Sequence, residues 1–311
     1  MQLRQLLVII DPSQPSQPAL QRAHWLARAT SAKVELLLCE YNSALSHSLI
    51  FDNDTLSSAR EALLTNLHSE LDGMAAPLRE EGLQVTVQVR WGKPLEQVIL
   101  QRVAELQPDL LLKSAHHRSL KHHLLGNSTW QLLRHCPVPL WLVQHGEWQC
   151  RQLCAALDPL HSDDKPAALD QQLIAAAQLL SDTLGIQPHY LHSYAPVPPS
   201  LLFDSALVAD YDNYRQLCAK QHRHAFEQLL HSANVPLAQA QLREGFAEEE
   251  ISRFVHEEHI DLLLLGAIAR GHLASALIGS TAERVLETVD CDLLLLKPDS
   301  SNARTGSAEE Q

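Results

Sequence analysis

Short apolar runs alternate with amphipathic stretches along the whole chain. Residues 6–10 are continuously apolar and are closed by Asp11-Pro12-Ser13, which reads as a buried strand ended by a turn. A helix is expected over 18–30, where Leu20, Ala23, His24 and Ala27 share one face. The pattern then gives a strand over 33–39, a long helix over 55–79 stopped by Gly82, and an alternating strand over 83–90. A helix over 93–106 carries Leu95, Val98, Ile99, Val103 and Leu106 at helical spacing. A strand over 109–112, a helix over 126–136 and a strand over 138–143 close the first half.

The second half repeats that order. Strands are expected over 153–157, 187–193, 237–243, 260–265 and 291–296, and helices over 167–184, 210–232, 247–258 and 280–289. Five segment matches support a duplication. Pro108-Asp109-Leu110-Leu111-Leu112 pairs with Ile260-Asp261-Leu262-Leu263-Leu264 at an offset of 152 residues. Gln88 to Gly92 pairs with Gln241 to Gly245, and Leu124-Leu125-Gly126-Asn127 with Leu277-Ile278-Gly279-Ser280, both at 153. Leu49 to Asp52 pairs with Leu201 to Asp204 at 152, and Ile10-Asp11-Pro12 with Leu157-Asp158-Pro159 at 147. These divide the chain into domains over 1–146 and 150–298, with a Ser-, Asn- and Glu-rich tail over 299–311 expected to be disordered. Alternating strands and helices with continuously apolar strands imply an α/β protein. Each half is then a doubly wound, five-stranded parallel sheet covered on both faces. Such sheets bind ligands at the carboxyl ends of their strands, where the strand order reverses.

Composition narrows the reading. Among 311 residues, 37 acidic against 24 basic side chains leave a formal charge of -13, which counts against direct nucleic-acid or anionic-membrane binding. Apolar runs such as Leu262 to Leu265 fall far short of the roughly 20 residues of a membrane span. Met1-Gln2-Leu3-Arg4 leads straight into a strand without signal-peptide anatomy, and six scattered cysteines give no disulfide framework. The expectation is a cytoplasmic protein with reduced thiols.

Candidate chemistry lies on the loop after the fourth strand of the second half. It runs Gly266-Ala267-Ile268-Ala269-Arg270-Gly271 and ends in Gly279-Ser280-Thr281-Ala282-Glu283. Ser280 and Glu283 have capping-box spacing, which predicts a helix start at Ser280. A glycine followed by a helix N-terminus presents backbone N–H groups and a positive dipole end to phosphate, and the Ser280 and Thr281 hydroxyls add donors. A tight turn with an ordinary cap accounts for the same residues.

The spacing Gly266, Ala269, Gly279-Ser280 resembles the Gly-x2-Gly-x9-Gly-Ser/Thr loop of the universal stress protein family. The resemblance covers both halves, as in the tandem, E-type members. It implies a Rossmann-like sheet of order 3-2-1-4-5, ATP or another nucleotide as ligand, Asp158 near the base, and a stress-response role. It also implies that the last strands of the two halves pair across a pseudo-twofold, making the chain an intramolecular pseudo-dimer. Ala269 departs from the motif. In the first half Ser114 and His117 stand at the first two glycine positions and Asn127 replaces Ser280, so nucleotide is expected in the second half alone.

Other features are less specific. His116, His117, His122 and His123 cluster in one loop and offer imidazoles for zinc, or form a polar surface loop. His222 and His224, and His256 and His259, read as exposed helix residues, the second pair on one face. Residues 49–51 and 201–208 are apolar loop segments that serve as lids, as walls for an apolar ligand tail, or as ordinary packing. There is no Walker A, GxGxxG or GxSxG motif, so the reading is binding or sensing of a phosphate-bearing ligand, with ATP hydrolysis at most slow. The alternatives are a scaffold for protein partners and a binder of a nucleotide-linked lipid intermediate.

Overall fold

The computed structural model describes residues 2–46, 52–115, 117–119, 122–144, 151–160, 168–197, 210–267 and 279–298. The chain divides into two compact units, Met1–Trp148 and Gln149–Gln311. The first unit contains β1 (Gln5–Ile10), α1 (Pro18–Thr30), β2 (Lys33–Glu40), α2 (Asn53–Glu80), β3 (Val85–Trp91), α3 (Leu95–Leu106) and β4 (Leu110–Ser114). There follow β5 (His117–Ser119), β6 (His122–Leu125), α4 (Asn127–His135) and β7 (Leu140–Val143). β1 pairs in parallel with β2 on one side and β4 on the other; β2 continues to β3 and β4 to β7. The order is therefore 3-2-1-4-5, counting sheet strands along the chain.

The second unit repeats this arrangement. It contains β8 (Gln152–Ala156), α5 (Ala168–Leu184), β9 (Gln187–Tyr194), α6 (Tyr211–Ser232), β10 (Ala240–Glu244), α7 (Ala247–Glu257), β11 (Leu262–Gly266), α8 (Ser280–Thr288) and β12 (Asp292–Leu296). β8 lies between β9 and β11, β10 flanks β9 and β12 flanks β11, all in parallel. Successive residues Leu6, Leu7 and Val8, and Leu262, Leu263 and Leu264, have no exposed surface. Burial of neighbouring positions requires cover on both faces of the sheet, as the unbroken apolar runs foretold.

One local device recurs in each unit. Asp109 Oδ2, just before β4, accepts from the backbone N–H groups of Arg4 at 2.7 Å and Gln5 at 2.9 Å. Asp261 Oδ2 does the same for Arg151 at 2.7 Å and Gln152 at 3.0 Å. The carboxylate thus satisfies the first donors of the central strand, which have no ladder partner there. In the first unit a second polar device ties β2 to α3. Glu35, buried, receives a bidentate guanidinium from Arg102, with Nε to Oε1 at 2.7 Å and an Nη to Oε2 at 2.6 Å.

Some expectations need correction. The strand expected from 237 begins only at Ala240, because Pro236 opens a 3-10 turn over Leu237–Gln239. The histidine-rich stretch was read as a loop, but its backbone forms the antiparallel hairpin β5–β6. His259 lies beyond α7 in a left-handed conformation at φ 50°, so it does not share a helical face with His256. The tail over 299–311 and the segments 49–51 and 201–208 lie outside the described residues. Among the described residues no helix is long and apolar enough to cross a membrane.

Candidate functional site

β8 and β11 are adjacent and parallel, yet β9 continues from β8 on its other side. The strand order reverses between them, so the loops following β8 and β11 open at the switch point of the second unit. Asp158 stands just beyond β8. Its backbone N–H donates to Oδ1 of Asp170, a buried residue in the first turn of α5, at 3.2 Å. The preceding residue is anchored twice. Leu157 N–H donates to Leu191 O at 2.8 Å, and Leu157 O accepts from His192 Nδ1 at 3.0 Å. A carbonyl only accepts, so His192 carries its proton on Nδ1, and its Nε2 accepts from His222 Nδ1–H at 2.8 Å. His222 also stacks on Tyr194, with ring centroids 4.8 Å apart. His222 is therefore half-buried and structurally engaged, not the exposed helix histidine its sequence context suggested. Burial lowers the pKa of both imidazoles, the charge of Asp158 opposing it.

On the neighbouring loop, α8 begins at Ser280 with Gly279 as its N-cap at φ -62° and ψ 145°, and no side chain caps it. The expected capping box is not formed: Ser280 is already helical, and Glu283 N–H bonds to Gly279 O at 3.0 Å. Ser280 is exposed and Thr281 half-buried in the first turn. The first-turn N–H groups that precede Glu283 thus receive no side-chain cap. Asp158 lies on the loop after β8, Gly266 ends β11, and Gly279, Ser280 and Thr281 form the start of α8; Ala269 lies outside the described residues.

Gly266 has a packing reason for being glycine. A Cβ at this position would lie 2.5 Å from Leu169 Cδ2, in the first turn of α5. In the first unit the matching residue is Ser114, and the first turn of α1 there presents Ala19. Ser114 Oγ accepts from Ala19 N–H at 3.4 Å. Glycine facing leucine in one unit is serine facing alanine in the other. The departure at Ser114 is thus a repacking of helix on strand, and the close approach at Gly266 is to Leu169.

The first unit has an open space at its own switch point. A cavity of about 580 Å³ lies at the carboxyl ends of β1, β2 and β4 and reaches the start of α4. Asp11, Glu40, Lys93, Lys113, Gly126 and Ser128 are among its lining residues. Asp11 Oδ1 accepts from Ser13 N–H at 2.8 Å and Ser13 Oγ at 2.6 Å, and Glu40 Oε1 accepts from Tyr41 N–H at 2.8 Å. Lys93 Nζ sits 4.3 Å from the centre of the Tyr41 ring. Lys113 was not singled out from sequence. Its signal was available: it interrupts an apolar strand at the position where the duplicate has Leu265.

Of the histidine cluster, His117, His122 and His123 lie on the β5–β6 hairpin and His116 is outside the described residues. Among the described residues no group of three or more His, Cys, Asp or Glu is arranged to hold a metal ion.

These features define two doubly wound domains of the same strand order. The model of the universal stress protein family matches residues 2–144 and 151–297, and the chain belongs to that family as a tandem-domain member. It is similar along nearly its whole length to proteins named universal stress protein E. The protein from Photorhabdus laumondii is 27% identical over 315 residues, covering 98% of each chain. That from Escherichia coli K12 is 26% identical, covering 94% of each. Among solved structures, a functionally unknown protein from Pseudomonas aeruginosa PAO1 superposes with a TM-score of 0.75 at 25% identity, covering 97% of this chain and 95% of that one. A universal stress protein from Archaeoglobus fulgidus shares the fold, with a TM-score of 0.63 at 15% identity and 96% and 98% coverage.

Proposed function

We propose that this stress-response protein binds a nucleotide or a related phosphate-bearing ligand in its second unit, and acts by binding and sensing. The observation that carries the reading is the uncapped start of α8 at Gly279-Ser280-Thr281, across the switch point from Asp158. Backbone N–H groups, two hydroxyls and the positive end of the helix dipole suit phosphate, and the carboxylate of Asp158 suits the N–H groups of a base. Gly279 has an ordinary extended conformation, so its backbone does not by itself require glycine.

Mass spectrometry of the small molecules released from the denatured full-length protein tests the ligand class. A phosphate-bearing compound is expected. Gly279→Val should abolish its retention and Gly126→Val should leave it intact. Equal loss from both changes overturns the assignment to the second unit. Release of no phosphate-bearing compound, together with no binding of added ATP, favours the scaffold reading.

A further inference from the structure

Lys113 lies at the end of β4, on the wall of the first unit's cavity, where the duplicate strand has the buried Leu265. The wall is mixed: Ile9, Ile10, Cys39, Leu95 and Ile99 supply apolar surface beside Asp11, Glu40 and Lys93. Its Nζ donates to the carbonyl of the adjacent Ser114 at 3.0 Å. Each of the other charged groups on the cavity wall has a local partner: Asp11 with Ser13, Glu40 with the Tyr41 backbone, Lys93 with the Tyr41 ring. Gly126 adds to the space. A Cβ there would meet nothing within 4 Å, and its φ of -64° suits any residue, so neither backbone nor packing requires glycine.

We propose that Lys113 is a nucleophilic lysine, and that the first unit's cavity captures small aldehydes with an apolar body as reversible imines. The volume of about 580 Å³ lies in the range of small-molecule sites. An amine desolvated among apolar side chains is the usual setting of imine-forming lysines. Burial holds Lys113 at about 8, with the charge of Asp11 opposing the shift. At neutral pH this leaves about 300-fold more of it unprotonated than an ordinary lysine. The neighbouring thiol of Cys39 is pushed by burial to about 12, so it does not compete as a thiolate.

The chemistry balances without a redox partner. The Nζ lone pair attacks the carbonyl carbon, and the carbonyl π pair moves to oxygen, which takes up a proton. The nitrogen loses a proton to give a carbinolamine; its hydroxyl takes up a second proton from water and leaves as water, the nitrogen lone pair forms the C=N bond, and the resulting iminium returns that proton to solvent. Asp11 lines the same cavity, and its charge is felt at Lys113.

The test traps the imine on the intact full-length protein with benzaldehyde and sodium cyanoborohydride, followed by peptide mass mapping across a pH series. Lys113 should be benzylated at least about tenfold faster than exposed Lys33 and Lys220, with a half-maximal rate near pH 8. Gly126→Val, which adds a branched side chain to the cavity wall, should slow labelling of Lys113 and leave Lys33 and Lys220 unchanged; Gly279→Val should not slow it. Labelling of Lys113 no faster than the exposed lysines overturns the proposal, as does a pH profile like theirs. The readout concerns the first unit alone, so its failure is distinguishable from failure of phosphate binding in the second.

Discussion

The imidazoles of His192 and His222 share one hydrogen bond of 2.8 Å, and the far nitrogen of His192 holds the carbonyl that precedes Asp158. With both rings neutral the bond runs from His222 Nδ1–H to His192 Nε2; protonating His192 reverses it and places a charge in a buried site. Burial lowers both pKa values below the ordinary 6.5. Unfolded chain therefore binds more protons than folded chain as pH falls. The pair's stabilisation is full above about 6.5, is lost as pH drops from there toward the depressed folded values, and does not change further below them. The melting temperature of the wild type should fall more between neutral and mildly acid pH than that of a His192→Leu/His222→Phe double variant. Parallel curves would show that the pair is not the sensor.

Gly266 and Leu169 should behave as a coupled pair. Gly266→Ala places a Cβ 2.5 Å from Leu169 Cδ2, the far end of a half-buried side chain, and should cost about 0.5–1.5 kcal/mol as that side chain is pushed off its rotamer. Adding Leu169→Ala should recover most of it. Denaturant midpoints of the two single variants and the double variant decide this, and additive losses would refute the coupling.

Asp109 and Asp261 each receive two backbone N–H groups. Replacement of either by Ala removes the acceptor of one exposed and one half-buried N–H and should lower stability by about 0.5–1.5 kcal/mol; Asn, which keeps one carbonyl oxygen, should lose less. Chemical denaturation of the four variants checks the order. If Asn and Ala are equivalent, the bonds are not the source of the effect.

Removing Arg102 strands the buried carboxylate of Glu35. Arg102→Met should cost about 3–5 kcal/mol, whereas the Arg102→Met/Glu35→Leu double variant should be close to wild type. A double variant as unstable as the single one would mean that packing of the Arg102 stem, not the charge, sets the loss.

The fold was legible because its strands announce themselves. Runs such as residues 6–10 and 262–265 are apolar at every position, which only a doubly covered parallel strand tolerates, and their repetition at a nearly constant offset gave the tandem organisation. The start of α8 at Ser280 was legible, but its cap was not: Ser280 and Glu283 have capping-box spacing, whereas Gly279 supplies the N-cap without a side chain. His222 was misread because its partner, His192, lies 30 residues away on another element. The packing of Gly266 on Leu169 and of Ser114 on Ala19 was not legible, because local pattern records the glycine or serine and not the helix residue it faces. Lys113 was missed for a related reason. Its meaning lies in the open volume around it, which no spacing encodes.

Ser114 with Ala19, and Gly266 with Leu169, have a practical consequence for anyone exchanging parts between the halves. The glycine cannot be transplanted alone. Writing it into position 114 would remove the hydroxyl that receives the Ala19 N–H and leave a void beside a small residue. Carrying α5 into the first half with Ser114 in place would drive Leu169 against the serine side chain. The transferable part is a strand end together with the first turn of the helix that lies on it, two segments about 95 residues apart in each half. A working chimera must cut the chain twice.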